Sequence, residues 1–288
     1  MLKGKALIIT GAGQGLGRAF AQAASASGAR VLVADIDRDD AEQTVAAIAD
    51  GGGEAEAFIG SVADWDSAAA LVDRCAARFG SVDGLVNNAG LYVTGPAPDE
   101  TPERLRSLVD TNVLGPLYVG THALRAMREH GRGGAIINVT SAARAGRRNM
   151  SLYAATKGAV ASLTYAWALE STEYGVRVNA LAPRAMTRMT LQGSDSPPDH
   201  APPEHVAPVV VFLLSDAAAQ VNGQVVHFDG RGLALAAAPQ LEATAMRPEP
   251  WTPEQVAEAF AADLSSHLQP IGWTGGAVSG RPAIPTPS

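Results

Sequence analysis

The segment "IITGAGQGLGRAF", Ile8–Phe20, decides how the rest of the chain is read. A β-type apolar run ends at Thr10, glycines follow, and a helical pattern begins at once. Gly11, Gly15 and Gly17 make a GxxxGxG spacing, and no frame satisfies the stricter GxGxxG. Glycines permit a tight turn and close backbone approach, and the N-terminus of the helix that follows can receive a pyrophosphate. A tight strand-to-helix turn needs glycine with or without a ligand, so the loop alone leaves both readings open. The next β-type run, "ARVLVAD", ends at Asp35, where an acidic side chain can bond the hydroxyls of an adenosine ribose. An anion there repels a 2′-phosphate, which favours NAD over NADP; Arg38 nearby moderates the preference. Without a ligand, Asp35 reads as a strand-end turn residue or helix cap.

Outward from this loop, short β-rich runs alternate with longer helical patterns. The runs are "KALIIT", "ARVLVAD", "EAEAFIG", "VDGLVNN", "GAIINVT", "VRVNALA" and "GQVVHFD". Such alternation implies βαβ units, a parallel sheet and helices on both of its faces. The expected fold is therefore α/β, a Rossmann-type doubly wound parallel sheet of about seven strands. A long helical region is expected around 103–130, and another helix over about 151–174. One catalytic domain is expected over residues 1–232. A C-terminal extension follows over 233–288, with one helix in "TPEQVAEAFAADLSSHL" and mobile last residues. Residues 190–203, rich in proline and polar side chains, read as a loop.

Composition narrows the function. A hydrophobic fraction of 47% over 288 residues is that of a globular chain, and a formal charge of −7 argues against a nucleic-acid surface. Cys75 is the only cysteine, so no internal disulfide can form; it reads as a small apolar residue on a helix. No secretory core and no membrane-length apolar run is present, which predicts a cytoplasmic protein without membrane partners. No histidine pair has metal-ligand spacing and HExxH is absent, so no metal is expected.

Five motifs occur in order: "TGAGQGLG", "NNAG" at 87–90, Asn112 in "TNVLG", Ser141 in "INVTS" and "YAATK" at 153–157. Together they resemble the short-chain dehydrogenase/reductase family over residues 3 to 232. The resemblance implies an oxidoreductase that interconverts a secondary alcohol and a ketone, assembled as a homodimer or homotetramer. It implies that Gly11, Gln14, Gly15, Leu16 and Gly17 hold the pyrophosphate side of the cofactor, and that Asp35 and Ile36 meet its adenosine. Asn88, Ala89 and Gly90 would flank the adenosine part and stabilise the central sheet, while Pro183 would pass the nicotinamide and Thr187 would meet its carboxamide or the pyrophosphate. Ser61 and Val62 stand where relatives commonly place an aspartate against the adenine.

Tyr153 and Lys157 are four residues apart, which on a helix sets them on one face. Spacing alone leaves a proton-transfer device and an accidental pair equally open. The resemblance makes Tyr153 the general acid/base and gives Lys157 two tasks, lowering the phenol's pKa and binding the nicotinamide ribose. Ser141 would hydrogen-bond the reacting oxygen, with Thr140 its rival, and Asn112 would hold a water linking Lys157 to solvent. Arg184 takes the place of the glycine in the family's Pro-Gly pair. Arg144, Arg147 and Arg148 near Ser141 raise an anionic substrate, against the plainer reading of a solvated basic loop. A 3-hydroxyacyl or hydroxysteroid-like substrate is the narrower expectation. NADP-dependent carbonyl reduction and a non-catalytic cofactor-binding protein are the rivals.

Overall fold

The apolar runs pair into one sheet in the order β3-β2-β1-β4-β5-β6-β7-β8. The computed structural model describes residues 1–186, 201–239, 241, 243–247 and 250–268. The strands are β1 (Ala6–Thr10), β2 (Arg30–Asp35), β3 (Glu54–Ile59), β4 (Gly84–Asn87), β5 (Gly134–Val139), β6 (Val176–Pro183), β7 (Val225–Phe228) and β8 (Leu233–Leu235). The first seven pair in parallel and coincide with the seven apolar runs. Helices α1 (Gly15–Ala26), α2 (Arg38–Asp50) and α7 (Ala207–Leu214) cover one face. On the other face lie α3 (Trp65–Phe79), α5 (Gly115–His130) and α6 (Ser151–Glu170). This is the doubly wound arrangement expected of the alternation.

Strand period places the two cores. Along β1, Leu7 and Ile9 enter the core under α1, and Ala6 and Ile8 enter the one under α3. All four are fully buried, as a sheet covered on both faces requires. Cys75 lies on α3 inside the second core, where burial pushes its thiol up to about 12; it packs as the small apolar residue expected.

Three local features differ from the sequence reading. The eighth strand is antiparallel to β7 and follows the turn "DGRG", in which the Asp229 carboxylate accepts from the N–H groups of Arg231 and Gly232. It has only three residues, with Leu233 and Leu235 exposed, so it carries no apolar run long enough to announce a strand. The helical region from 102 to 130 is α4 (Pro102–Val109), a π turn over Asp110–Leu114, and then α5. α6 ends at Glu170, and a 3₁₀ turn over Thr172–Tyr174 replaces its expected last turn.

The chain separates into a compact unit Met1–Ala236 and a second unit beginning at Ala237. The second holds α8 (Pro253–Ala259), started by a capping box between Thr252 and Gln255. Among the described residues, no helix is long and apolar enough to cross a membrane.

A buried polar ladder ties the sheet to α6. The Asn87 amide donates to Asn138 Oδ1 at 2.9 Å, and Asn138 donates to Thr164 Oγ1 at 3.0 Å. Removing the middle member strips the buried Asn87 amide of its acceptor and leaves the Thr164 hydroxyl with only its bond to Val160 O. Asn138→Ala is therefore expected to destabilise the chain by about 2–3 kcal/mol. Urea unfolding followed by circular dichroism checks this, and an unchanged midpoint contradicts it.

Candidate functional site

The chain reverses direction across the sheet between β1 and β4, and the crevice outside their carboxyl ends is where such folds bind ligands. Thr10 and Gly11 form one lip of it and Asn88, Ala89 and Gly90 the other. Gly11 has φ +61°, and a Cβ there would lie 2.8 Å from the Ala89 Cα. A Cβ on Gly17 would run into the Gly11 carbonyl oxygen. Both positions exclude a side chain, so the loop presents bare backbone above α1. Gln14 is exposed and extended at the start of α1, makes no side-chain cap, and no acidic residue occupies the first turn. Leu16 packs against the core beneath, which leaves the positive end of α1 open to an anion.

Asp35 closes the far side of this cradle. Its Oδ2 accepts from Gly13 N at 2.8 Å and its Oδ1 from Asp37 N at 3.1 Å, which fixes the carboxylate at the β2 end. Each oxygen keeps a lone pair for a further donor. Ile36 beside it is 74% exposed, an apolar surface next to the carboxylate. The cations nearby are engaged. Arg18 bonds Gly13 O and Thr44 and pairs with Asp40, and Arg38 pairs with Glu42 at 3.1 Å. Gly60 N donates to Asp35 O, so the end of β3 joins the rim. There Ser61 is exposed and accepts from Ala63 N, while Val62 turns toward Gly115. This backbone cradle, with a helix terminus at one end and a carboxylate at the other, fits a dinucleotide.

A clasp holds the two lips together. Asn88 Nδ2 donates to Thr10 O and Gly11 O at 2.9 and 3.0 Å. The N–H groups of Asn88 and Ala89 both donate to Thr10 Oγ1 at 3.0 Å. Thr10 is therefore as much part of the motif as the asparagine, and its place at the strand end before Gly11 is the only sequence signal for it. Gly90 then abuts the second half of the site, since a Cβ there would lie 3.1 Å from Asn112 Oδ1 and 3.5 Å from Lys157 Nζ.

That second half gathers all four expected catalytic residues. Asn112 lies fully buried in the π turn, accepts from Leu91 N at 2.7 Å, and donates to Leu91 O and Thr156 Oγ1. Lys157, on α6, donates from Nζ to Val139 O at 2.8 Å, and Thr140 Oγ1 donates to the Lys157 carbonyl. The Thr140 hydroxyl is thus spent on α6 and is 2% exposed, whereas Ser141 hydrogen-bonds Tyr153. Tyr153 packs edge-on against Tyr92, with ring centroids 5.0 Å apart.

Burial sets the protonation of the pair. It pushes the Tyr153 phenol up to about 12, against the pull of the Ser141 hydrogen bond, and it pushes Lys157 down to about 8. Lys157, whose Nζ lies 5.8 Å from the phenol ring centroid, is not among the groups that move the phenol in the chain alone. At neutral pH the site holds a protonated phenol beside an ammonium.

Pro183 ends β6 opposite Phe228 of β7. Arg184 donates its backbone N–H to Phe228 O, and its charge helps hold the Asp229 carboxyl below the usual range. Thr187, and most of the 190–203 loop, lie outside the described residues.

Titration of the chain alone, followed by tyrosinate absorbance, is expected to show one tyrosine ionising above the ordinary range near 10. Tyr153→Phe removes that late step. Loss instead of a step at or below 10 contradicts the burial argument.

The short chain dehydrogenase family model matches residues 5–197. The chain is 38% identical over 245 residues to 2,5-dichloro-2,5-cyclohexadiene-1,4-diol dehydrogenase of Sphingobium indicum, covering 80% of this chain and 97% of that protein. It is 38% identical over 236 residues to cis-4-hydroxycyclohexanecarboxylate dehydrogenase of Sinomonas cyclohexanicum, covering 77% and 94%. The crystal structure of a short chain dehydrogenase from Mycobacterium avium superposes with a TM-score of 0.87 at 34% identity, over 96% of this chain and 99% of that one. With cradle, clasp and proton-transfer cluster joined at one sheet edge, the chain belongs to the short-chain dehydrogenase family.

Proposed function

We propose that the protein is an NAD-dependent oxidoreductase that interconverts a secondary alcohol on a six-membered ring with the corresponding ketone. The observation that carries this reading is the convergence of Ser141, Tyr153, Lys157 and Asn112 at the end of the glycine-loop crevice. The ring-alcohol names of the Sphingobium and Sinomonas relatives support the substrate class over a 3-hydroxyacyl or steroid.

In this reading the dinucleotide lies along the crevice. Gly11, Gln14, Gly15, Leu16 and Gly17 receive its pyrophosphate at the α1 terminus, and Asp35 accepts from its adenosine ribose. Ile36, Ser61 and Val62 border the adenine, and Asn88, Ala89 and Gly90 line the crevice between its two ends. Lys157 meets the nicotinamide ribose, with Pro183 and Thr187 at the nicotinamide. A bound nicotinamide supplies the hydride chemistry. Ser141 and Tyr153 hold the substrate oxygen between two hydroxyls. In reduction the neutral Tyr153 donates its proton to that oxygen and is left as a phenolate, which the Lys157 ammonium stabilises; in oxidation that phenolate removes the proton of the alcohol and returns to the neutral phenol. Asn112 fixes the strand-to-helix geometry around Lys157 through Leu91 and Thr156.

The preference for NAD rests on Asp35 together with the pairing of Arg18 and Arg38 to Asp40 and Glu42. A 2′-phosphate would meet the Asp35 carboxylate, and both cations beside it already carry a counter-charge. Apolar faces on α4, at Leu105 and Val109, favour a homo-oligomer.

Tyr153→Phe is expected to lower turnover about 10³-fold, in line with loss of a general acid, while NADH affinity by fluorescence titration stays within about twofold. Retained turnover removes Tyr153 from the mechanism. Initial rates are expected to favour NAD over NADP by about tenfold or more, a difference of about 1.4 kcal/mol. Asp35→Ser is expected to narrow that ratio. A wild-type preference for NADP overturns the assignment of Asp35.

A further inference from the structure

Arg144 lies three residues beyond Ser141, in the 3₁₀ turn Ala142–Ala145 that follows β5. Its Nη1 donates to Ser141 O at 3.3 Å and sits 3.2 Å from His227 Nε2. A guanidinium only donates, so the imidazole nitrogen accepts and the ring is neutral. Burial, aided by the Arg144 charge, holds His227 down at about 4, which agrees with that assignment. The group is thus braced by two neutral acceptors, and among the described residues no carboxylate pairs with it. Arg147 and Arg148 are exposed, whereas Arg144 is half-buried. A cation partly withdrawn from water without a counter-charge is an open electrostatic position.

The unused part of the side chain has a shape. Nη1 makes both hydrogen bonds, which leaves the Nε–Nη2 edge unpartnered, and neither of those atoms is sealed from solvent. That edge presents parallel N–H groups at the spacing of two carboxylate oxygens. Its place in the fold is also informative. Ser141 follows the carboxyl end of β5, and His227 sits on β7 opposite Ala182 near the end of β6. Arg144 therefore spans the sheet edge from the catalytic serine toward β7, at the edge where α6 brings in Tyr153.

We infer that Arg144, braced by His227 and the Ser141 carbonyl, is the subsite for a carboxylate carried by the substrate. The inference rests on the dehydrogenase reading and names its substrate class as a ring hydroxy acid, with the carbinol at Tyr153 and the carboxylate at Arg144. A single guanidinium balances one negative charge, which suits a monocarboxylate better than a phosphomonoester of about −1.5 to −2.

The test uses the full chain with NAD and a matched pair, a hydroxycyclohexanecarboxylate and its methyl ester. Wild type is expected to favour the acid by about 30-fold in kcat/KM, and Arg144→Gln to bring the ratio close to one. Arg144→Lys, which keeps the charge but not the fork, is expected to fall between. A ratio read within each variant cancels losses from incomplete folding. A wild-type ratio near one, or a ratio unmoved by Arg144→Gln, overturns the subsite. Calorimetric titration with cyclohexanecarboxylate, which has no hydroxyl to oxidise, reads the subsite without turnover. Binding at least about tenfold weaker in Arg144→Gln supports it, and equal binding overturns it. If the acid analogue binds through Arg144 while neither alcohol is oxidised, the dehydrogenase reading fails and the subsite stands. If both alcohols are oxidised equally well, the reverse holds.

Discussion

The bond from the buried Lys157 ammonium to the Val139 carbonyl organises the catalytic half of this molecule. A cation 5% exposed must be compensated, and the strand end that compensates it leads directly to Ser141. The Thr140 hydroxyl returns the constraint by donating to the Lys157 carbonyl. Two hydrogen bonds in opposite directions thus fix one turn of α6 against the end of β5. Tyr153 lies one turn before Lys157 on the same helix, so its distance from Ser141 follows from this joint. The Asn87–Asn138–Thr164 ladder holds α6 to the sheet further along, and the Asn88–Thr10 clasp ties the same edge to the glycine loop. Tyr153, Lys157 and the glycine-loop crevice are consequently parts of one hydrogen-bonded frame.

That frame was legible in the sequence to differing degrees. The parallel strands inside the sheet were, because a strand buried on both faces leaves an uninterrupted apolar run such as "LIIT" or "RVLVAD"; β3, at the sheet edge with no buried residue, showed only the weaker "EAEAFI". β8 was not, because an exposed three-residue edge strand has no such run and depends on the Asp229 turn. The π turn was hidden for a related reason. Nothing in helical periodicity registers one extra residue per turn, and Asn112 is held there by Leu91, far away in sequence.

The site shows the same division. Residues whose side chains follow from local spacing, Tyr153 and Lys157, could be paired on a helix face from the sequence alone. Residues that act through long-range contacts could not. Thr10 reaches Asn88 and Arg144 reaches His227, each across strands distant in the chain. The electrostatics divide in the same way, because the charge of Lys157 was visible in the sequence and the burial that raises the phenol and lowers the ammonium was not.

In the proposed reaction Tyr153 moves the proton under the influence of the Lys157 charge. The pH dependence of kcat/KM in both directions tests it most directly, in wild type and in Lys157→Met. A buried phenol must lose its proton to act as base, so alcohol oxidation is expected to rise throughout pH 6 to about 9, while ketone reduction, which uses the protonated phenol, stays level over that range. Loss of the ammonium in Lys157→Met is expected to move the rising limb to higher pH. Profiles that stay flat in both directions, or a limb unmoved by the substitution, contradict the account.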